Sequence, residues 1–201
     1  MPPYLRIGPL SPVSGYPAMY LTPEEKKTLL RLARTSLHLL VKEQKELTSL
    51  PEGFELTGRL KGPAGVFVTL EKDKELRGCI GYIDPVGPLY QSVMENAIAA
   101  CSRDYRFQPV EASELDRIKI ELSVLTPKQE IKRIEEFIPG KHGIMIEKQG
   151  RRAVFLPQVA AEQRWNREET LRHLCLKAGL APDAWNKGAR FWVFTAEVFG
   201  E

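Results

Sequence analysis

Leu76-Arg-Gly-Cys-Ile-Gly-Tyr82 combines β-compatible apolar residues with two glycines and a thiol next to a guanidinium. The run before it, Gly65-Val-Phe-Val-Thr-Leu-Glu-Lys72, has the β-branched and aromatic content of a strand. Lys72-Asp73-Lys74 then reads as a polar reversal, and Glu75 onward returns as the antiparallel partner of a β-hairpin. Alternation along the second strand places Leu76, Gly78, Ile80 and Tyr82 on a core-facing side and Arg77, Cys79 and Gly81 on the other. Glycine weakens a strand interior, so Gly78 and Gly81 predict a bulge or the close approach of another backbone or a ligand. The Arg77 cation beside Cys79 would favour the thiolate, the form that attacks electrophiles. A buried, inert sulfur is the competing reading of the same residue.

Upstream, Thr22-Pro-Glu-Glu25 is a helix start with a capping box, followed by Leu29, Leu32, Ala33, Leu37, Leu40 and Val41 at helical spacing toward Leu47. Pro51-Glu-Gly-Phe54 breaks the chain, and Gly58 to Gly65 is a loop leading into the hairpin. Downstream, Asp84-Pro-Val-Gly-Pro88 turns into a second helix whose apolar face includes Val93, Ala97, Ile98 and Cys101, which makes Cys101 a core residue. The loop Asp104 to Pro109 follows. There Arg106 can hold an anionic ligand in its planar fork with Asp104 positioning it, or the two form a surface ion pair with Phe107 as a plug.

In the second half, Arg117 to Leu125 alternates as a half-solvated strand, and Ile131, Ile134, Phe137 and Ile138 suggest a short helix. Gly140-Lys-His-Gly143 sets a histidine between glycines at the mouth of a strand, Ile144 to Glu147, that pairs with Arg152 to Leu156. His142 reads either as an acid or base titrating near neutrality or as a solvated turn residue. Pro157 takes the chain out of the sheet, and Gln158 and Trp165 precede a helix capped by Asn166 with Glu169 at its third position. Gly179 stops that helix. Phe191 to Phe199 reads as one strand that closes the sheet. Helices interleaved with antiparallel strands make the fold class α+β.

The chain has 201 residues, 43% hydrophobic and 27% charged, with a net charge of +3. This is the balance of a globular protein with no basic stripe for duplex DNA and no apolar run of membrane-spanning length. Met1 to Tyr20, with five prolines, lacks the pattern of a signal peptide and reads as an irregular arm. Cys79, Cys101 and Cys175 are odd in number and widely spaced, which points to a reducing cytoplasm. His173 and Cys175 cannot share a metal, because residues two apart on a helix diverge by about 200°. No paired CxxC, HExxH or phosphate-loop pattern occurs, so neither cofactor nor metal is expected.

Taken with Asp104-Tyr-Arg-Phe-Gln-Pro109, Gly140-Lys-His-Gly-Ile144 and Phe155-Leu-Pro-Gln-Val-Ala160 with Trp165 following, the hairpin motif resembles the AMMECR-type domain family, whose prokaryotic members are called AmmeMemoRadiSam system protein A. The resemblance runs from about Leu21 to Glu201. It implies a larger and a smaller subdomain with the motif beside the cleft between them, and a pathway shared with Memo-like and radical SAM proteins. If the chain is catalytic, Cys79 is the nucleophile, Arg77 its thiolate stabiliser, His142 a proton shuttle and Arg106 an anion anchor. Gly78, Gly81, Asp104, Phe107, Gly143 and Gln158 complete the expected site. A partner-binding module without chemistry is the alternative, and single-stranded nucleic-acid binding through Arg106, Arg151 and Arg152 is a third reading.

Overall fold

The computed structural model describes residues 21–201; the expected irregular arm, residues 1–20, lies outside them. The first helix, α1 (Pro23–Glu43), begins as its capping box dictates. The Thr22 hydroxyl accepts the Glu25 amide at 3.2 Å and the Glu25 carboxylate accepts the Thr22 amide at 2.8 Å. Gln44, in the left-handed conformation with φ 57°, ends the helix short of Leu47. A single turn, α2 (Gly58–Lys61), leads into the hairpin β1 (Gly65–Lys72) and β2 (Glu75–Tyr82). Asp73 and Lys74 both have positive φ, 54° and 70°, as a two-residue type I′ turn requires. Then come α3 (Leu89–Ser102), a 3-10 turn at Ala112–Arg117 and β3 (Ile118–Leu125).

The expected short helix after β3 divides into a strand, β4 (Gln129–Ile131), and a 3-10 turn at Ile134–Glu136. A second hairpin, β5 (Gly143–Lys148) and β6 (Arg151–Phe155), precedes α4 (Pro157–Glu162) and α5 (Arg167–Lys177). The helix α4 has no counterpart in the sequence reading. Pro157 leaves the sheet as expected, but it does so as the first residue of a helix, where a missing N–H costs nothing. The strand expected over Phe191 to Phe199 is two strands, β7 (Arg190–Phe194) and β8 (Ala196–Gly200), in different sheets.

Two antiparallel four-stranded sheets result, in the orders β2-β1-β3-β8 and β4-β7-β5-β6. The chain passes between them at Thr126 to Lys128 and again at Thr195. These crossings are stitched together: the Thr126 amide donates to the Thr195 carbonyl at 3.0 Å, and the Thr195 amide to the Thr126 hydroxyl at 2.9 Å. One core joins α1 and α3 to the first sheet through Leu29, Leu37, Val66, Val68, Leu70, Ala97, Cys101 and Leu122. A second joins α5 to the second sheet through Phe137, Ile146, Leu171, Leu174 and Cys175. The helix α5 starts at Asn166, whose side chain accepts the Glu169 amide at 2.9 Å while the Glu169 carboxylate accepts the Asn166 amide at 2.8 Å. Asn166→Ala is expected to cost about 1 kcal/mol in urea denaturation without altering the fold.

Candidate functional site

The first sheet has two unlike faces. Val66, Val68 and Leu70 of β1, Gly78 and Ile80 of β2, and Ile118, Ile120, Leu122 and Val124 of β3 turn toward α1 and α3. The opposite face carries Phe67, Thr69, Cys79, Gly81, Glu121 and Ser123, and register sets Cys79, Thr69 and Glu121 side by side across three strands. A bulge alters the expected alternation: Leu70 pairs with Gly78 but Glu71 pairs with Leu76, which leaves Arg77 as the extra residue. Leu76 therefore moves to the same face as Cys79 and is 44% exposed. Tyr82 keeps the core-facing parity but lies at the end of the strand and is 47% exposed.

Both strand glycines answer to the protein itself. A Cβ on Gly78 would lie 2.2 Å from the Ala100 carbonyl oxygen, so α3 rests directly on the β2 backbone. A Cβ on Gly81 would meet the Phe67 ring at 2.4 Å. Gly143 has the same origin, with the Phe194 ring 2.3 Å from the place of its absent Cβ. These glycines position the site; none of them opens space for a ligand.

Cys79 is partly exposed, whereas Cys101 and Cys175 are buried. Burial pushes the Cys101 thiol up to about 11 and raises that of Cys175. The Thr69 hydroxyl lies 3.4 Å from the Cys79 sulfur. β2 is an edge strand, and Cys79 turns both backbone groups outward, where Asp104 and Arg106 take them. The Cys79 amide donates to Asp104 Oδ2 at 2.9 Å, and Arg106 Nη2 donates to the Cys79 carbonyl at 3.2 Å. Arg106 also clasps Asp104 through Nε at 2.9 Å and Nη2 at 2.6 Å. The Arg106 hydrogen bond, aided by the Cys79 and Arg106 amides, holds the Asp104 carboxyl well below the usual carboxylate range despite its burial. Arg106 stacks over Phe107, 5.4 Å from the ring centroid. The loop from Asp104 thus substitutes for a missing neighbouring strand at one residue.

Arg77 does something other than what its place beside Cys79 suggests. As the bulged residue it turns away, giving Nε and Nη2 to Glu114 at 3.0 and 2.9 Å and its remaining bonds to the Gln108 and Pro109 carbonyls at 2.8 and 3.2 Å. Hydrogen bonds from Arg77, the Glu111 amide and Lys72 bring the Glu114 carboxyl down to about 2. The guanidinium ties the hairpin to the 3-10 turn. Glu114 was invisible as a site-supporting residue in the sequence, where it reads only as an acid in a polar stretch.

His142 is 6% exposed, so it is not a solvated turn residue. The Ile138 amide donates to its Nδ1 at 3.2 Å, which places the proton of the neutral ring on Nε2. Burial, aided by the Lys141 charge, lowers its pKa below the ordinary value and away from titration at neutrality. Its Nε2 and the Oε1 of Gln158, on α4, are buried without a hydrogen-bond partner among the described residues. No hydrogen bond joins Cys79 to His142, the residue expected as its proton shuttle: the sulfur is beside Thr69, the imidazole against Ile138.

Burial raises the Glu121 pKa, and the charges of Glu71 and of Glu162, the last residue of α4, raise it further. Thr69 and Glu121 were not singled out in the sequence, although strand alternation from the core-facing Val68 and Ile120 places both on the opposite face.

The molecule is accordingly a two-sheet α+β protein with one partly exposed cysteine on an edge strand. The AMMECR1 family model matches residues 30–199, and the chain belongs to that family. It is 44% identical over 191 residues to Protein MK0488 of Methanopyrus kandleri, covering 90% of each chain. It is 40% identical over 190 residues to Protein Mbar_A1807 of Methanosarcina barkeri, covering 90% of this chain and 92% of that one. The crystal structure of the uncharacterized protein PH0010 from Pyrococcus horikoshii matches with a TM-score of 0.78 at 38% identity, covering 86% of this chain and 89% of that one. No helix among the described residues is long and apolar enough to cross a membrane. Nor do the described residues hold a group of three or more His, Cys, Asp or Glu placed to bind a metal ion.

Proposed function

We propose that the chain handles a ligand at Cys79, as a cytoplasmic component of a pathway that also uses Memo-like and radical SAM proteins, with the thiol as nucleophile or covalent carrier. One observation supports this above the others. Two charged side chains, Asp104 and Arg106, fix the backbone of Cys79 while the residue stays partly exposed, and the other two thiols are sealed in cores. Holding a reacting atom on a locked strand is the preorganisation that a working thiol needs. His142, with its own partner at Ile138, has no step in this reading.

Alkylation by iodoacetamide across pH, followed by peptide mass analysis, tests the proposal. Cys79 is expected to be modified in the native chain, and Cys101 and Cys175 only after unfolding. Cys79→Ala is expected to leave stability within about 1 kcal/mol and to abolish the output of the pathway. Unchanged output with intact folding would end the catalytic or carrier role.

A second reading is a binding module that docks a partner protein without chemistry. It is favoured by Leu76, Tyr82, Val86 and Tyr105, which are 44%, 47%, 61% and 95% exposed along or beside β2. Nucleic-acid binding has less support. Arg106 is engaged with Asp104, Arg151 with the Gly179 carbonyl and Arg152 with Glu147.

A further inference from the structure

We propose that the groove between α1 and the outer edge of β8 is a docking site for an extended acidic segment of a partner protein, which adds to β8 as a fifth strand. The groove has a volume of about 570 Å³ and is lined by Lys26, Lys27, Leu30, Arg31, Arg34 and Phe199, among others. Helical spacing gathers the four cations onto one side of α1. Lys26 pairs with Glu197, 2.6 Å away, and Arg34 with Glu201. Two cations remain in excess among the described residues: Lys27 makes no ion pair with them, and Arg31 has, of them, only the Phe54 ring beneath it, 4.6 Å away. Leu30 and Phe199, both part-buried, supply an apolar floor between these charges.

The backbone of β8 supplies the second element of recognition. The strand pairs with β3 on one side and, among the described residues, with nothing on the other. The Glu201 amide donates to the Ile120 carbonyl at 3.2 Å. In an antiparallel ladder that sets the register, so that Val198 and Gly200 turn their N–H and C=O groups outward. Outward backbone groups recognise an extended peptide, alternate side chains of which would meet the floor and the cationic rim. The carboxylates of Glu197 and Glu201 on the same rim disfavour a continuous phosphate backbone. An acidic peptide, which can space its charges toward Lys27 and Arg31, avoids them. The groove lies at the edge of the sheet opposite β2, so it is independent of the role proposed for Cys79.

Fluorescence anisotropy of the full chain tests the proposal with a labelled decapeptide of alternating glutamate and valine. Three companions are measured with it: its lysine-valine counterpart, a form N-methylated at alternate amides, and a single-stranded oligonucleotide of equal length. The glutamate peptide is expected to bind, to weaken with salt, and to lose at least tenfold in affinity in Lys27→Glu/Arg31→Glu. Both substituted residues are exposed, and circular dichroism checks that the variant folds. N-methylation is expected to abolish binding. The proposal is overturned by no binding, by equal binding of the lysine or N-methylated peptide, by indifference to the charge reversal, or by tighter binding of the oligonucleotide.

Discussion

Gly78→Val is expected to lower the unfolding free energy by about 3 kcal/mol or more. The added Cβ would sit 2.2 Å from the Ala100 oxygen and 3.1 Å from its carbonyl carbon. The obstacle is backbone, which cannot rotate aside as a side chain can. Relief requires α3 to lift from the sheet, and that would open the contacts of Val93, Ala97 and Cys101 with the first core. Alanine is expected to be nearly as harmful, because its single carbon is already the clashing one. Gly58→Ala is the matched control: its Cβ has nothing within 4 Å, so its effect should stay within about 0.5 kcal/mol. Urea denaturation of the three variants makes the comparison. A loss below about 1 kcal/mol for Gly78→Val would mean that α3 is not seated on β2 as described.

Acid is expected to destabilise the protein through the two carboxylates that hold the hairpin in place. The Glu114 carboxyl is lowered from 4.5 to about 2, chiefly by Arg77. That of Asp104 is lowered chiefly by Arg106. A carboxyl whose folded pKa is depressed contributes stability that is complete above its unfolded pKa and lost as pH falls through the folded one. The unfolding free energy should therefore be level near neutrality and fall between 4.5 and about 2. Glu114 would account for up to about 3 kcal/mol of that fall. Glu121 acts in the opposite sense: its raised pKa disfavours the folded carboxylate, so protonation stabilises the fold and offsets part of the loss. Glu114→Gln should be less stable at neutral pH and show a shallower acid slope, measured by urea denaturation from pH 2 to 7. Parallel slopes for the variant and the natural chain would remove Glu114 as the origin.

The hairpin, α1, α3 and α5 were legible because their signals are local. Thr22 with Glu25 and Asn166 with Glu169 make caps within one turn, and Asp73 and Lys74 lie in the turn they form. Long-range competition decided the elements that were misread. Phe191 to Phe199 has uniform β-character, and only the Thr126 to Thr195 crossing divides it between two sheets. The bulge at Arg77 arises from pairing with β1, so no property of β2 alone could have moved Leu76 to the other face. The basic side of α1 was equally hidden in a linear reading, because helical geometry is what brings Lys26, Lys27, Arg31 and Arg34 to one groove.

By itself the amino-acid order determined the α+β class, the family and the hairpin that presents Cys79, since side-chain period, capping and turn chemistry act over a few residues. Only the tertiary structure decided that Arg77 serves Glu114, that Asp104 and Arg106 hold the Cys79 backbone, and that His142 is buried against Ile138. Those outcomes depend on which distant group reaches a side chain first. In a close-packed interior, that is a property of the whole chain.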